Sequence, residues 1–458
     1  MTTRRLVVIG GGIAGLAAAW AARDADKDLE IVLLERAREV GGKARTIVRG
    51  EWMVEAGPTG FLSGTPELDR LITACGLDDS LRPADPAAAR RFIHFHGRMR
   101  RVAPNPVSLV SAGLLTAGGC ARMLAEVAIP ARRDQPDESV WDFAARRLGT
   151  EVADRLISPM TLGVFAGDAH RLSLNAAFPR MAALEGEHGS LIRGMIARAF
   201  RRPRGTKPAA LHSFDQGMQT LPRSLAARGE FQVRCNADVR EITRTASSWS
   251  VAIAGQEEAI TTDAIVVAAP PAASATLLRN HHSVLASELD GIYCPPVAVV
   301  ALGYGPGDWD SVPPGFGVLV ARGEGFRMLG NLWDTHLYTG RSPAGHLLIR
   351  AMYGGGIDPD AAALPTAELV DLARSEVARL YELRAAPRFE EVVQWPHAIP
   401  QYELGHPERV RRIEHAVADL PGIFLTGSGL RGVAFPAAAA DGVRTGEAAA
   451  RWLAAASA

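Results

Sequence analysis

Short apolar runs alternate along the chain with longer segments of helical spacing. The apolar run at residues 4–9 ends at a glycine turn and is followed by an alanine-rich segment from Ile13. Residues 29–35 form a second apolar run that ends in a carboxylate, and residues 264–269 form a third that stops at two prolines. Continuous apolar runs of this length are typical of strands buried in a parallel sheet. The pattern therefore predicts a strand–helix–strand unit, and it predicts that the third run is a further strand of the same sheet.

Beyond this unit the pattern predicts a hairpin, a helical stretch and further strands. Residues 91–102 alternate around a central His-Gly pair, as a hairpin would, whereas 104–200 has mostly helical spacing. The predicted fold class is α/β, with a discontinuous Rossmann-like domain, a mixed-sheet second domain and a helical lobe. The first domain takes residues 1–85, 208–285 and 395–458, the second takes 86–103 and 286–394, and the lobe takes 104–207. Further strands are predicted at 297–303, 317–321, 346–353 and 422–428, and helices at 66–75, 140–148, 152–160, 366–381 and 438–456.

Composition and charge argue against several classes of function. The 458 residues carry 50 basic and 50 acidic side chains, and this balance disfavours a nucleic-acid partner because phosphate backbones select for a basic face. The four cysteines lie far apart and the histidines lack metal-ligand spacing, so neither a disulfide framework nor a metal site is expected. The first apolar run is too short for a signal peptide, and the apolar segment 109–121 ends at Arg122 before it could span a bilayer. We expect a cytoplasmic protein.

The glycine-rich turn after the first strand is the clearest chemical signal. Its Gly-x-Gly-x-x-Gly spacing allows a tight turn, brings backbone amides close to a diphosphate at the helix N-terminus, and lets the helix pack on the strand. Glu35 ends the second strand, at the position where a carboxylate binds ribose hydroxyls. The residues of the turn are Gly10, Gly11, Gly12, Ile13, Ala14 and Gly15.

A second glycine-rich region distinguishes flavin binding from nicotinamide binding. Gly41 and Gly42 follow soon after Glu35, and residues 54–60 contain two more glycines. Glycines at both places suit a cofactor that is buried along its whole length, which points to a flavin. An ordinary Rossmann strand and helix with glycine turns is the alternative.

Motifs spread over nearly the whole chain resemble the oxygen-dependent porphyrinogen oxidases of heme synthesis. These are the protoporphyrinogen and coproporphyrinogen group within the amine-oxidase-like flavoproteins. Gly-Val-Phe-Ala-Gly-Asp at 163–168 and Ile-Pro-Gln-Tyr at 399–402 are hardly seen in other amine-oxidase-like families. The other matching segments are 172–173, 177–179, 188–192, 214–222, 404–406 and 431–434.

The resemblance implies FAD as the cofactor and a six-electron oxidation of a porphyrinogen to a porphyrin. Three hydride transfers to the flavin, each followed by reoxidation with O2 to H2O2, would complete it, and no catalytic side chain is nominated because the cofactor carries the chemistry. Protoporphyrinogen IX and coproporphyrinogen III both stay open as substrates. Besides the glycine turn and Glu35, the resemblance assigns to FAD Arg36, Lys43, Gly57, Pro58, Thr59, Gly60, Val239, Trp395, Ser428, Val433, Ala434 and Phe435.

The same resemblance implies a substrate site. It assigns Arg91 to a propionate, and Phe316, Leu319 and Met352 to the apolar walls around the tetrapyrrole. An arginine binds a carboxylate through two parallel hydrogen bonds. A solvated arginine is the alternative for Arg91, and core packing is the alternative for the three apolar residues.

Partners follow from the same family. Members of the resembling family dock on membranes through the region that corresponds to residues 109–129. In this chain the region lacks the lysine-rich polar face of a strong interfacial helix. We therefore expect at most a weak peripheral contact with the inner face of the cell membrane, with core packing as the alternative. Handover to a ferrochelatase, and a monomer or homodimer, are further expectations.

The C-terminal loop departs from the family pattern, which usually reads Asn-x-Tyr-x-Gly-Val followed by Asn-Asp-Cys. The matching residues here are Ser428, Leu430 and 436–438. Amine oxidases cage their substrates with two tyrosines before the flavin, so Ser428 and Leu430 disfavour an amine oxidase on this scaffold. The same scaffold would also serve a carotenoid-type desaturase or a non-catalytic carrier of the GDI-like, prenyl-protein chaperone kind. The intact glycine turn argues against the carrier.

Overall fold

A five-stranded parallel sheet forms the first layer of the protein, whose computed structural model describes residues 4–103, 105–132, 137–201, 209–309, 312–381, 383 and 385–456. Ala264–Val267 pairs with Arg5–Ile9, which confirms that the third apolar run returns to the first sheet. All neighbouring strands of this sheet run parallel. In spatial order they are Gln232–Arg234, Glu30–Leu34, Arg5–Ile9, Ala264–Val267 and Ile423–Leu425.

Helices cover both faces of the parallel sheet. On one face Ile13–Ala25 packs against the last helix, Phe435–Ala456, so closely that a Cβ at Gly442 would collide with the carbonyl oxygen of Ala14. Small residues are needed at this contact, which accounts for the alanine-rich sequence of both helices. The same core includes Pro66–Ala74 and Thr220–Arg228, and the other face carries Pro271–Leu278, Ser283–Asp290 and His406–Ala418.

A mixed seven-stranded sheet forms the second layer. The predicted hairpin is confirmed as Arg91–Phe95 and Arg98–Val102, and its first strand runs parallel to Gly317–Val320, whereas the other neighbouring pairs are antiparallel. The predicted helix at 366–381 is confirmed as Thr366–Leu380 and packs on one face of this sheet. In spatial order the strands are Phe389–Trp395, Val297–Tyr304, Leu347–Gly354, Met328–Trp333, Gly317–Val320, Arg91–Phe95 and Arg98–Val102.

Two strands of this sheet are missing from the sequence prediction because polar residues interrupt their apolar runs. Met328–Trp333 contains the buried Asn331, whose side-chain oxygen accepts hydrogen bonds from the Trp333 indole and the Tyr381 hydroxyl. Phe389–Trp395 is an edge strand with two glutamates after its phenylalanine. Pairing with buried partners, and not local periodicity, makes these segments strands.

The described part of 104–200 is mostly helical, as predicted, and the helix predicted at 152–160 is confirmed, with a π-helical turn inside it. The chain forms Thr150–Val152, a π-helical turn at Ala153–Ile157 and then Ser158–Phe165. Pro159 has no N–H with which to continue the α-helical ladder, and the Ser158 N–H bonds to Ala153 O, five residues back. The other helices are Pro106–Ser111, Ala117–Leu124, Val140–Leu148, Leu174–Ala177, Pro179–His188 and Leu191–Arg201. The predicted boundary at 207/208 lies outside the described residues.

Three small sheets and several short helices complete the described residues. None of the helices in these ranges is long and apolar enough to cross a membrane, and no group of histidine, cysteine, aspartate and glutamate side chains there is arranged to hold a metal ion. The small sheets consist of Val239–Arg244 with Trp249–Ile253 and Ile260–Thr262, of Thr46–Arg49 with Trp52–Glu55, and of Phe61–Leu62 with Leu211–Phe214 and Leu81–Pro83. The short helices are Asp78–Ser80, Pro86–Ala89, Ala125–Ala128, Asp334–Leu337 and Pro359–Ala362.

Candidate functional site

The first glycine turn has the geometry that its spacing predicts. Gly10 has φ +113°, which only glycine adopts readily, and a Cβ at Gly15 would collide with the Gly10 carbonyl oxygen. A Cβ at Gly12 would meet nothing within 4 Å, and Gly12 caps a helix that has no side-chain cap and no acidic residue in its first turn. The N-terminus of this helix therefore faces open space and favours an anion such as a diphosphate.

Glu35 lies directly beside this turn. Its carboxylate accepts hydrogen bonds from the Gly11 N–H at 2.6 Å and from the Ala37 N–H at 2.8 Å. The Glu35 carbonyl oxygen accepts from the Ala237 N–H at 2.9 Å, which brings the start of the strand with Val239 to the same end of the sheet. The carboxylate is thus fixed in orientation next to the glycine turn, as ribose binding requires. Arg36, which follows, is exposed.

The second glycine pair packs against the first. The Gly41 N–H donates to Gly11 O at 2.8 Å, and a Cβ at Gly42 would lie 3.2 Å from Gly12 Cα. Gln219 also fixes this loop, because its side-chain amide donates to Val40 O at 2.8 Å. The two glycine motifs therefore form one continuous cradle.

Lys43 extends this cradle toward residues 55–60. Its backbone oxygen is so close to Gly57 that a Cβ there would collide with it. The Lys43 side chain has no carboxylate within ion-pair distance in the described ranges, and burial lowers the pKa of its ammonium group. A largely buried cation without an acidic partner fits a site that takes an anionic cofactor.

The seven-stranded sheet holds the segment 55–60 with two side chains. The Trp395 indole N–H donates to Ala56 O at 2.7 Å. Arg350 donates through Nη1 to Glu55 O at 2.5 Å and through Nη2 to the Thr59 hydroxyl oxygen, while Nη2 also lies 2.8 Å from an oxygen of the buried Asp334. Arg350 was missed by sequence reasoning, although a lone arginine inside the apolar strand Leu347–Gly354 was a signal of a buried polar contact.

Glu55 is a second missed residue, and its side chain is also buried. Its carboxylate accepts from the Thr46 hydroxyl at 2.8 Å and the Met218 N–H at 2.9 Å, and it lies 3.2 Å from Arg341 Nη1. Burial raises the pKa of Glu55, against these donors and the arginine, which lower it. This network joins the two small strands at 46–55 to the segment at 214–219. It also fixes the start of the loop that contains Pro58 and Gly60.

The C-terminal loop is held by a buried tyrosine. Tyr402 donates its hydroxyl hydrogen to Ser428 O and accepts a hydrogen bond from the Gly432 N–H. Val433 packs against the apolar cluster around Tyr402, Ala434 accepts the first backbone hydrogen bond of the last helix, and Phe435 lies with its ring centre 6.0 Å from that of Phe61. The predicted residues Ser428 and Val433 are thus connected through one tyrosine.

Three of the four predicted substrate residues lie on strands or strand ends of the seven-stranded sheet. Leu319 is opposite Gly330, and Gly330 is opposite Met352, so the three form a row across neighbouring strands. Their neighbours Val318 and Ala351 belong to the core on the other face, which puts Leu319 and Met352 on the face toward Trp395 and the helical region. Gly163 of the predicted motif lies over Leu319, because a Cβ there would be 3.0 Å from Leu319 Cδ2.

Arg91 and Phe316 contact each other at the edge of this region. The Arg91 guanidinium lies over the Phe316 ring, 5.2 Å from its centre. Arg91 is exposed and has no ion-pair partner in the described part of the chain. Phe316 packs with Ala88 and Leu337, in a different cluster from Leu319 and from Met352. The structure therefore brings Arg91 to Phe316, and Leu319 into line with Met352, but it does not join the two pairs by direct contact.

Comparison with known proteins agrees with this geometry. The sequence profile of the flavin-containing amine oxidoreductases matches residues 13–453. A coproporphyrinogen III oxidase of Bacillus subtilis strain 168 is 28% identical over 454 residues, covering 94% of this chain and 95% of that protein. The chloroplastic protoporphyrinogen oxidase of Oryza sativa subsp. japonica is 31% identical over 456 residues, covering 93% of this chain and 84% of that protein.

A solved structure shares the fold over nearly the full length. The crystal structure of a protein from Exiguobacterium sp. 255-15, provisionally assigned as a protoporphyrinogen oxidase, superposes with a TM-score of 0.86 at 24% identity and covers 98% of this chain and 99% of that one. The cradle of glycines beside Glu35, the largely buried Lys43 and the family match agree on the cofactor. The chain belongs to the flavin-containing amine oxidoreductase family, and it is an FAD-dependent oxidoreductase related to the protoporphyrinogen and coproporphyrinogen III oxidases.

Proposed function

We propose that the protein is a porphyrinogen oxidase that removes six electrons from protoporphyrinogen IX or coproporphyrinogen III, with O2 as acceptor and H2O2 as product. The observation that carries this proposal is the row of Leu319, Gly330 and Met352, on the sheet face from which Arg350 and Trp395 hold the segment 55–60. A row of two apolar side chains with a glycine between them suits a flat apolar ring. Relatives at 28% and 31% identity with porphyrinogen oxidase names support the same substrate class.

The side chains have binding and positioning roles in this proposal. When bound, FAD supplies the hydride acceptor that amino-acid side chains lack. Leu319 and Met352 exclude water from one side of the macrocycle, and Arg91 binds a propionate and so fixes the rotation of the ring. Arg350 and Trp395 hold the segment 55–60 at a constant distance from this wall. No side chain is assigned as a general base.

An amine oxidase on the same scaffold needs an aromatic cage in the C-terminal loop. Here the Leu430 side chain is buried in the core behind the parallel sheet, and Ser428 bonds to Tyr402 through its backbone oxygen. Neither position supplies a ring that faces a substrate. This disfavours amines as substrates.

Aerobic turnover with both porphyrinogens tests the proposed function. We expect porphyrin fluorescence to appear together with about three molecules of H2O2 per porphyrin, since six electrons leave in pairs. Flavin-free protein is the control for spontaneous oxidation, and an aliphatic diamine is the control substrate for an amine oxidase activity. No porphyrin above the flavin-free control, or faster oxidation of the amine, would overturn the assignment.

We also propose a weak peripheral contact with the inner face of the cell membrane, through the helix Leu191–Arg201. Leu109 and Leu114, in the segment that the family resemblance assigns to membrane docking, are buried in a small apolar core, while Leu124 of the same segment is 50% exposed. By contrast Met195, Ile196 and Phe200 are 57%, 51% and 86% exposed, and arginines alternate with them along the helix. Exposed apolar side chains interleaved with cations suit an anionic lipid surface.

Vesicle sedimentation tests this contact. Phe200→Glu is expected to reduce binding to phosphatidylglycerol vesicles, whereas Val284→Glu, at an apolar position 57% exposed on another helix, leaves binding unchanged. Equal effects of the two substitutions would contradict the proposed surface.

We further propose that a ferrochelatase takes over the product, because a released apolar macrocycle aggregates in water. The enzyme would act as a monomer or homodimer, and light scattering with and without ferrochelatase tests both points.

A further inference from the structure

Tyr402 is a buried tyrosine whose hydroxyl binds backbone groups of a loop that begins 26 residues later in the sequence. The hydroxyl donates to Ser428 O at 2.5 Å and accepts from the Gly432 N–H at 2.7 Å. Both bonds go to backbone groups of the loop 428–432, and together they bridge its two ends. The side chain is 1% exposed, so water does not compete for these groups.

His406 holds the middle of the same loop. Its ring stacks on Tyr402 with centres 4.1 Å apart and an angle of 16° between the ring planes, and its Nε2 lies 3.2 Å from Leu430 O. Burial lowers the pKa of His406 to about 4, so the ring is neutral at pH 7 and must carry its proton on Nε2 to donate to that carbonyl. Tyr402 and His406 thus bind three backbone groups of a five-residue loop.

The sheet topology places this loop beside the cofactor cradle. Arg5–Ile9, Ala264–Val267 and Ile423–Leu425 are parallel neighbours, so the segments that follow them leave from the same edge. The Thr426 N–H donates to Val267 O at 3.1 Å, and a Cβ at Gly10 would lie 2.8 Å from Ala268 O. Ligands of open α/β sheets bind at this carboxyl edge. Loop 428–432 therefore follows a strand that lies two positions from the strand of the glycine turn, and it leaves from the same carboxyl edge as the cofactor cradle.

We propose that Tyr402 is a positioning residue for FAD: its hydroxyl, together with Nε2 of the stacked His406, fixes the backbone of loop 428–432 in the conformation that binds the cofactor. The side chain acts through the loop and does not itself touch the cofactor. This proposal depends on the FAD site and not on which substrate the enzyme oxidises.

Tyr402→Phe tests the proposal because it keeps the ring stacked on His406 and removes only the hydroxyl. Ser428 O and the Gly432 N–H then lose their buried partner, and the loop can reach other conformations before FAD binds. We expect the dissociation constant of FAD to rise about tenfold, which corresponds to about 1.4 kcal/mol. The visible absorbance band and fluorescence of the bound flavin should shift as well.

The matched control is Tyr381→Phe. Tyr381 is also buried, donates to Asn331 Oδ1 at 2.8 Å and accepts from Trp333 Nε1 at 2.8 Å, but it lies in the core of the seven-stranded sheet away from the cradle. We expect both variants to lose a similar amount of thermal stability as flavin-free proteins, and only Tyr402→Phe to weaken FAD binding. Equal FAD affinities in the two variants would overturn the positioning role.

His406→Phe provides a second variant should Tyr402→Phe fail to fold. It keeps an aromatic ring against Tyr402 and removes the bond to Leu430 O. We expect weaker FAD binding in the same direction, measured on the folded protein. Wild-type FAD affinity in this variant would contradict the proposal. A change in porphyrinogen turnover without any change in FAD binding would likewise contradict it and would concern the proposed function instead.

Discussion

Replacing Arg350 tests how the two layers of the protein are joined at the site. Its guanidinium is buried, pairs with the buried Asp334, and donates to Glu55 O at 2.5 Å and to the Thr59 hydroxyl. Arg350→Met keeps the apolar length of the side chain and leaves the Asp334 carboxylate without its partner. Breaking a buried ion pair from one side costs about 3–5 kcal/mol. We expect the free energy of unfolding of the flavin-free protein to fall by that amount.

The double variant Arg350→Met with Asp334→Asn separates the buried charge from the loop contacts. It removes both charges, so no unpaired charge stays buried, and replacing a buried ion pair by uncharged residues often changes the free energy of unfolding only a little. We therefore expect most of the lost stability to return, to within about 2 kcal/mol of the wild type. Both variants lack the hydrogen bonds to Glu55 O and to the Thr59 hydroxyl. We therefore expect the dissociation constant of FAD to be about tenfold higher in each of them than in the wild type, which corresponds to about 1.4 kcal/mol of binding free energy.

Urea unfolding and FAD titration of the same preparations measure these two effects. Recovery of wild-type FAD affinity in the double variant would refute the positioning role, because Arg350 would then serve only to neutralise Asp334. A loss of less than about 1 kcal/mol in the single variant would refute the argument from buried charge.

Three further predictions concern the cradle, the substrate anchor and pH. Gly12→Ala should leave the stability of the flavin-free protein within about 0.5 kcal/mol, since a Cβ there meets nothing within 4 Å, but should weaken FAD binding at least tenfold; unchanged affinity would place the diphosphate elsewhere. Arg91→Ala should raise KM for a porphyrinogen about tenfold at constant flavin content, with partial recovery in Arg91→Lys, and an unchanged KM would remove its anchor role. Burial lowers the pKa of His406 to about 4, so between about pH 6.5 and about pH 4 only the unfolded chain takes up a proton at this residue. The free energy of unfolding should therefore fall by up to about 3 kcal/mol as the pH drops over this range. Urea unfolding of His406→Phe should lack this part of the decline.

The parts of the site that could be predicted from sequence are local. Gly10, Gly15 and Glu35 lie within one strand–helix–strand unit, where spacing alone determines which backbone groups meet. The hairpin at 91–102 was also predictable, because alternation around a His-Gly turn is a short-range signal. Its place next to Gly317–Val320 was not, since nothing local determines which strand a hairpin joins.

The parts that could not be predicted depend on long-range contacts. Arg350 donates to Glu55 O across 295 residues of sequence, and this contact exists only because the seven-stranded sheet packs against the segment 55–60. Periodicity describes which face of an element is buried, but not which backbone oxygen a buried side chain reaches. Tyr402 and Gln219 lie inside motifs that the sequence makes recognisable, yet their partners are evident only from the packing.

Anaerobic mixing of the FAD-loaded protein with a porphyrinogen tests the central claim most directly. With O2 absent, a true substrate passes its electrons only as far as the cofactor, so the account predicts immediate loss of the visible flavin absorbance with protoporphyrinogen IX or coproporphyrinogen III. The absorbance should return when air is admitted. Flavin that stays oxidised with both porphyrinogens would contradict the account.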